Sequence, residues 1–169
     1  MQKYVFRKYD SKYRTFYILE KKKLIKTLGP AAKIEHVGST SIPNLGGKGI
    51  LDIVVGASRT KIAQTKIKLE KAGYEFREIA SVPERLFFRV DYLHNNRKRR
   101  VHVHLTPSNS QDWKELTKFR DYLLKQPEIV EQYAKIKKEA VEQALGDGEK
   151  YRKYKENFIK KTLKKAMKE

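Results

Sequence analysis

The chain has 169 residues, a formal net charge of +19 and no cysteine, which suits one domain of ordinary size and excludes disulfides and thiolate metal sites. An apolar content of 39% can build a core, and 11% aromatic residues argue against a disordered basic tail. No apolar run approaches the ~20 residues of a membrane span, and the first residues lack the apolar stretch of a signal peptide. We therefore expect a soluble, cytoplasmic protein with no membrane partner.

The first half of the chain predicts a helix, a short strand, a loop and a long strand. The expected bounds are about 10–28 for the helix and 34–37 for the strand, which enters the polar segment 38–41. A loop is expected over 42–48 and the second strand over 49–57. Asp10 or Ser11 can cap the helix, and Gly29 followed by Pro30 ends it. The second strand is the most apolar stretch of the chain, which predicts a central position with both faces buried.

The second half predicts one more helix, three strands and a helical end. The expected bounds are 59–72 for the helix, 74–79, 86–92 and 99–105 for the strands, 94–97 for a hairpin turn, and helices from 108 onward that are interrupted at Pro127 and at 146–148. The sequence shows no internal repeat or flexible linker. We expect one domain over residues 1–169, with an α/β (α+β) core over 1–107, a mixed sheet flanked by helices, and a helical C-terminal part over 108–169.

The positive charge is concentrated at the two ends of the chain. Ten basic and three acidic residues lie in 1–35, and nine and two in 150–169, whereas 36–57 hold one of each. Such an excess favours anionic partners: a nucleotide or phosphorylated small molecule, or RNA or DNA through the basic surface. A lysine-rich solvated surface without a partner stays an equal alternative, and the sequence does not fix the oligomeric state.

A polar segment at the end of the first strand suggests phosphate binding. Gly38 lets the backbone approach a phosphate closely, and Ser39 and Thr40 add amides and hydroxyls that can hold its oxygens. Asp52 follows thirteen residues after Ser39 in a strand otherwise made of Ile, Leu and Val, where a carboxylate is costly to bury unless it is paired or bound to a cation. The alternative is that Asp52 only accepts backbone hydrogen bonds at a strand end.

Lys48 lies in a glycine-containing loop that is not a Walker A motif. Ile42 stands where that motif needs its first glycine, and Gly49 stands where it needs Ser or Thr. Lys48 remains a candidate phosphate contact, with a solvated loop lysine as the alternative.

Two histidines share one face of the last predicted strand. Period-two alternation places His102 and His104 on the same face as Arg100. Two imidazoles at this spacing can share a metal ion, or act as a general base and an anion contact. Exposed strand histidines without a function are the alternative.

Taken together, these segments resemble the GrpB family, small proteins of the nucleotidyltransferase (polymerase-β-like) superfamily. The similar stretches are residues 9–13, 34–45, 48–53, 102–105, 119–123 and 151–158. The resemblance implies a roughly five-stranded mixed sheet and a Gly-Ser turn that grips nucleotide phosphates. It also implies carboxylates on adjacent strands that hold two Mg²⁺ ions, which align an attacking hydroxyl with the α-phosphate.

The chain departs from the superfamily pattern in its carboxylates. Alignment on Gly38 and Ser39 places Asp52 at the second carboxylate of an Asp-x-Asp pair, but Ile50 at the first. The third carboxylate is also missing from the hairpin strand, which offers His102 and His104. Because Mg²⁺ prefers oxygen ligands, either Asp52 and the two histidines hold one softer ion such as Mn²⁺ or Zn²⁺, or the site is a phosphate pocket without transfer chemistry.

Asp91, on the first strand of the hairpin, is a reserve candidate for the missing carboxylate. It shares a face with Arg89, so an ion pair between the two is the alternative.

Three functions stay open. The first is a nucleotidyltransferase that depends on a divalent metal (Mg, Mn or Zn), with Asp52, Ser39 and His104 as catalytic residues. The second is a non-catalytic nucleotide or nucleic-acid binding module on the same fold, which would tolerate Asp52→Asn. The third, a phosphohydrolase-type or unrelated metal site at the two histidines, is the weakest because no third ligand is identifiable near them.

Overall fold

A computed structural model describes residues 5–94 and 96–169, without the side chain of His94. The helices are α1 (Lys12–Leu28), α2 (Ile62–Lys71), α3 (Gln111–Leu124), α4 (Pro127–Ala144) and α5 (Gly148–Ala166). The strands are β1 (Lys33–Val37), β2 (Leu51–Ala57), β3 (Glu75–Phe76), β4 (Leu86–His94) and β5 (Arg97–Pro107). The predicted hairpin turn over 94–97 includes Asn95, which lies outside the described residues. None of the described helices combines the length and apolar character needed to cross a membrane.

The five strands form one mixed sheet in the order β1-β2-β5-β4-β3. The central pair, β2 and β5, is parallel, and the other neighbouring pairs are antiparallel. The central position of β2 was expected from its apolar run, because a strand covered on both faces has no need for alternating polar residues. The predicted α/β fold with a mixed sheet and a helical C-terminal part is confirmed.

The two faces of the sheet have different partners, because successive strand residues point to opposite sides. One face packs against α1 and α2 and forms the main core. Its fully buried members include Leu24, Ile53, Leu69, Phe88 and Val103. The other face carries Asp52, His102 and His104, and α3 contacts it along β1, β2 and β5.

A second core cluster joins the C-terminal helices to the loop that follows β1. Its buried residues are Ile42, Leu45, Leu123, Val130 and Tyr133. The Pro/Gly-containing loop is therefore anchored by apolar side chains from α3 and α4, and this contact brings α4 close to the face of the sheet that carries Asp52.

The predicted elements differ from the observed ones mainly at their ends. The strand expected over 74–79 has only two residues in the sheet, because β3 is an edge strand and the chain then turns into a 3₁₀ helix at Glu78–Ala80. The helix expected from 59 begins with a separate 3₁₀ turn, Arg59–Lys61. At the start of α1 the carboxylate of Asp10 accepts the backbone N–H of Lys12 at 2.9 Å, whereas Ser11 makes no side-chain cap.

Candidate functional site

The parallel pairing of the central strands places Asp52 beside the histidines. Asp52 is the register partner of His102, and Val54 that of His104. The three polar side chains point to the same face, as the alternation of the sequence predicts. Sequence and topology together therefore assemble this group from segments 50 residues apart.

Both imidazoles face the same oxygen of Asp52. Oδ1 lies 3.3 Å from Nδ1 of His102 and 3.5 Å from Nε2 of His104. Burial alone would raise the pKa of Asp52, but the hydrogen bonds from His102 and His104 outweigh it and hold the pKa of this carboxyl well below its usual range. Asp52 is therefore an anion at neutral pH.

Phe87 of β4 fixes the two imidazole rings from the other side. Its ring packs at steep angles to the rings of His102 and His104, with centroids 4.7 and 5.2 Å apart. Nδ1 of His104 is buried with no hydrogen-bond partner in the described part of the chain. The histidines are thus held as a rigid pair directed at Asp52.

Gly38 brings the backbone directly against the Asp52 carboxylate. Its φ of +72° is a conformation that favours glycine, and a Cβ at this position would meet Oδ2 of Asp52 at 2.6 Å. The chain then forms a single 3₁₀ turn, Ser39–Ser41, closed by the Ser41 hydroxyl, which donates to the Gly38 carbonyl at 2.6 Å. The structure therefore places the predicted Gly-Ser turn next to Asp52.

The Thr40 side chain contacts a histidine of the preceding strand, His36. Its side chain is buried, and its hydroxyl lies 2.9 Å from Nε2 of His36. The His36 ring stacks on Tyr17 with centroids 4.8 Å apart, and burial lowers the pKa of His36 to about 4, so His36 is neutral at pH 7. Thr40 thus supports the turn through His36, and its role as a phosphate contact stays a prediction.

Arg120 of α3 ties the end of β1 to the helical layer. Its Nη1 donates to Oε2 of Glu35 at 2.7 Å and to the carbonyl of His36 at 2.8 Å. The guanidinium is thereby held in place two residues before Gly38, so the helical layer is fastened to the strand that leads into the turn.

Replacement of Arg120 by methionine is expected to lower the free energy of unfolding by about 2–3 kcal/mol, because the half-buried Glu35 and the His36 carbonyl lose a charged donor. Arg59, which pairs with Glu84 at 2.9 Å on the surface, is the matched control. Arg59→Met should change stability far less, because an exposed ion pair contributes little. Urea denaturation measures both; equal effects would contradict a special role for Arg120.

A buried lysine from α4 reaches the same site. The side chain of Lys137 is only 5% exposed, and its Nζ donates to the Gly46 carbonyl at 2.8 Å. A Cβ on Gly47 would meet Nζ of Lys137 at 2.5 Å and Oγ of Ser39 at 2.7 Å, so the amine and the hydroxyl lie side by side against this glycine. Burial lowers the pKa of Lys137 to about 7, and the neighbouring Lys155 and Lys48 add to that effect.

The amines of Lys48 and Lys155 both contact the aromatic ring of Tyr151. Their Nζ atoms lie 5.0 and 4.0 Å from the ring centroid of Tyr151, which puts the two amines no more than about 9 Å apart. Burial lowers the pKa of Lys155 to about 8, with Lys48 and Arg152 acting in the same direction. The pKa of Lys48 is also lowered by burial, and Asp52 acts against this shift. We call Lys48, Lys137 and Lys155 the lysine cluster.

Sequence reasoning found Lys48 but missed the two lysines of the C-terminal helices. Lys137 lies between Tyr133 and Ala140 on the buried stripe of α4, where a charged residue breaks an otherwise apolar pattern. Lys155 lies at the equivalent place on α5, four residues after the buried Tyr151. A lysine at a buried helical position was the available signal, because such a charge is costly unless something compensates it.

The donor set does not fit the metal ions that the resemblance implies. Asp52 is a single carboxylate, and both imidazoles are directed at one of its oxygens. Within residues 5–94 and 96–169, no group of three or more His, Asp or Glu side chains is arranged to hold a metal ion. The lysine cluster beside Asp52 would also repel a divalent cation. The predicted metal set of Asp52, His102 and His104 is brought together in space, but its prediction as a metal centre is not supported.

The reserve carboxylate, Asp91, is engaged elsewhere. It forms a two-pronged ion pair with Arg100, at 2.8 and 3.0 Å, and a further one with Lys98 at 2.9 Å. Arg89, the expected partner of Asp91, instead pairs with Glu75 at 2.8 Å. Asp91 is therefore a neutralised surface carboxylate and does not complete the site.

An open cleft of about 500 Å³ lies beside the loop that carries Gly46. It lies between the N-terminal segment and α4, and its lining includes Phe6, Tyr9, Asn44, Leu45 and Lys138. Gly46 contributes to this cleft and also accepts the hydrogen bond of Lys137. The backbone of a single loop therefore separates the cleft from the lysine cluster.

The mixed sheet, with a Gly-Ser turn after β1, an aspartate on β2 and helices on both faces, defines a mixed α/β protein. A family model described as "GrpB protein" matches residues 4–165, and the chain belongs to the GrpB family. The predicted family is thus confirmed.

Curated relatives and solved structures are similar to this chain to different degrees. The UPF0157 protein of Streptomyces coelicolor is 30% identical over 152 residues, covering 89% of this chain and 77% of that protein. YqkA of Bacillus subtilis is 30% identical over 154 residues, which cover 90% of this chain but only 44% of YqkA. The crystal structure of GrpB from Enterococcus faecalis matches with a TM-score of 0.83 at 29% identity, covering 97% of this chain and 98% of that one. A Cid1 poly(U) polymerase structure shows a distant likeness, with a TM-score of 0.45 at 14% identity over 78% of this chain and 45% of that one.

Proposed function

We propose that the chain binds a nucleotide or another phosphorylated ligand between the Gly38–Ser39 turn and the lysine cluster. The observation that carries this proposal is the presence of three buried or half-buried amines beside one carboxylate, Asp52. Two positive charges 9 Å apart repel each other by about 2 kcal/mol at an effective dielectric constant of 20. An anion bound among the amines would replace this repulsion by attraction.

The neighbouring groups have the chemistry that a phosphate needs. Gly38 has no side chain of its own and packs against the Asp52 carboxylate, while Ser39 offers a hydroxyl beside Lys137. Lys48 interacts electrostatically with Asp52 in the same region. Asp52 and the histidine pair bound this region on the sheet side. Because one carboxylate does not supply the ligands that two-metal transfer uses, the geometry favours binding over nucleotidyl transfer.

Thermal unfolding with a series of ligands tests the proposal. The midpoint is expected to rise in the order AMP, ADP, ATP, because each phosphate adds negative charge, and by about 5–10 °C when ATP is present at 100 times its Kd. Adenosine should have no effect. Lys48→Met should reduce the rise, whereas Lys160→Met, which removes an exposed lysine of α5 paired with Glu156, should retain it.

Two results would contradict the proposal. One is that none of the phosphorylated compounds raises the midpoint. The other is that adenosine raises the midpoint as much as ATP does. This result would mean that the chain recognises the nucleoside and not the phosphates.

A further inference from the structure

The site has a single carboxylate, Asp52, and several lysine side chains. Ile50, just before β2, stands two residues before Asp52, so the chain offers no second carboxylate at that position. Against that single negative charge the lysine cluster carries three positive charges when it is protonated. Hard divalent cations need several oxygen ligands, and this balance is opposite to what they require.

Lys137 is buried and Lys155 is half-buried, and neither forms an ion pair with a carboxylate among the described residues. Among the described residues, Lys98, Lys125 and Lys160 form ion pairs with carboxylates. Neither Lys137 nor Lys155 forms such a pair within that part of the chain; Lys137 donates to a backbone carbonyl, and Lys155 lies over the ring of Tyr151. A buried amine without a counter-charge is costly to fold, so it is expected where a ligand supplies the charge.

The amines come from three separate elements that enclose one region. Lys48 belongs to the loop before β2, Lys137 to α4 and Lys155 to α5, and each interacts electrostatically with Asp52. Arg152, one turn before Lys155, adds a further positive charge that acts on Lys48 and Lys155. A ligand that neutralises all of them needs several negative charges in a row.

We propose that the lysine cluster takes the place of divalent metal ions as the counter-charge, so that the site binds the metal-free polyphosphate chain of a nucleoside triphosphate or of inorganic tripolyphosphate. This inference rests on the proposed function and adds the form of the ligand. When Mg²⁺ binds a polyphosphate, the net charge of the complex is less negative by two units. The bound dication would also repel the amines. Excess Mg²⁺ therefore competes with the protein for the ligand.

Isothermal titration calorimetry with tripolyphosphate and with ATP, each in EDTA and in excess Mg²⁺, tests this inference. Both compounds should bind in EDTA, and Mg²⁺ should weaken the binding at least tenfold. Tripolyphosphate separates recognition of the phosphate chain from recognition of a nucleoside. Circular dichroism of each variant before titration verifies that it is folded.

Four variants locate the effect. Lys137→Met and Lys155→Met should each weaken binding in EDTA at least tenfold, while Lys160→Met on the exposed side of α5 should bind as the unmodified chain does. Asp52→Asn should tighten binding in EDTA, because it removes a negative charge next to the phosphates. A metal-dependent site would instead lose binding with this substitution.

The outcomes separate this inference from the proposed function. Tighter binding in Mg²⁺ than in EDTA, loss of binding in Asp52→Asn, or wild-type affinity in both lysine variants would overturn the metal-free site and leave phosphate binding standing. Binding of ATP without binding of tripolyphosphate would also overturn it. Absence of binding for both compounds under both conditions would overturn the proposed function as well.

Discussion

Substitution of Gly38 by alanine is expected to lower the free energy of unfolding by about 2–5 kcal/mol and to abolish binding of phosphorylated ligands. A positive φ costs an alanine about 1–2 kcal/mol, and the methyl group would press on the Asp52 carboxylate, 2.6 Å from Oδ2. The turn must then move, and this movement displaces the Ser39 hydroxyl from its place beside Lys137, where the ligand is proposed to bind. Urea denaturation and titration with ATP measure the two effects.

Gly73 provides the matched control for this substitution. Its φ of +93° is similarly unfavourable for alanine, but a Cβ there would meet nothing within 4 Å. Gly73→Ala should therefore cost only the backbone contribution of about 1–2 kcal/mol and leave ligand binding intact. If the two variants lost the same stability and bound ATP equally well, close contact between Gly38 and Asp52 would have no energetic importance.

The free energy of unfolding should rise by about 3 kcal/mol between pH 7 and pH 9.5 through Lys137. Burial lowers the pKa of Lys137 to about 7 in the folded chain, whereas a lysine in the unfolded chain has a pKa near 10.4. In this interval the unfolded state binds the proton and the folded state does not, so raising the pH favours folding. Lys155, whose pKa is lowered to about 8, acts with the same sign.

Lys137→Met isolates this contribution, because the remaining titrating groups are common to both proteins. The difference in stability between the unmodified chain and Lys137→Met should shift in favour of the unmodified chain as the pH rises from 7 to 9.5. Urea denaturation at intervals of half a pH unit measures it. A difference that is constant across this range would show that Lys137 has an ordinary pKa in the folded protein.

The sequence was sufficient to predict the part of the site that lies on the sheet. Asp52, His102 and His104 come together because β2 and β5 are parallel neighbours that alternate their side chains. The alternation follows from a local pattern, whereas the adjacency of the two strands was expected only from the family resemblance. The Gly-Ser turn was likewise predictable, since a glycine at a strand end permits its conformation.

The contribution of the helices was not predictable in the same way. Lys137 and Lys155 join the site only because α4 packs on the loop after β1 and α5 packs on α4, contacts that involve residues far apart in the chain. Helical periodicity identified their neighbours as buried but did not say which part of the sheet they would face. The contact between Thr40 and His36 was not predictable either, because it depends on the 3₁₀ turn that follows β1.

The origin of the lysine cluster in three elements couples ligand occupancy to the docking of helices on the sheet. Without an anion, the mutual repulsion of the amines acts across the contact between α4, α5 and the loop before β2, and it opposes their association. A bound anion reverses the sign of that force. Thermodynamic reciprocity then requires that any substitution that loosens the helices weakens anion binding, and that anion binding tightens the helices by the same free energy.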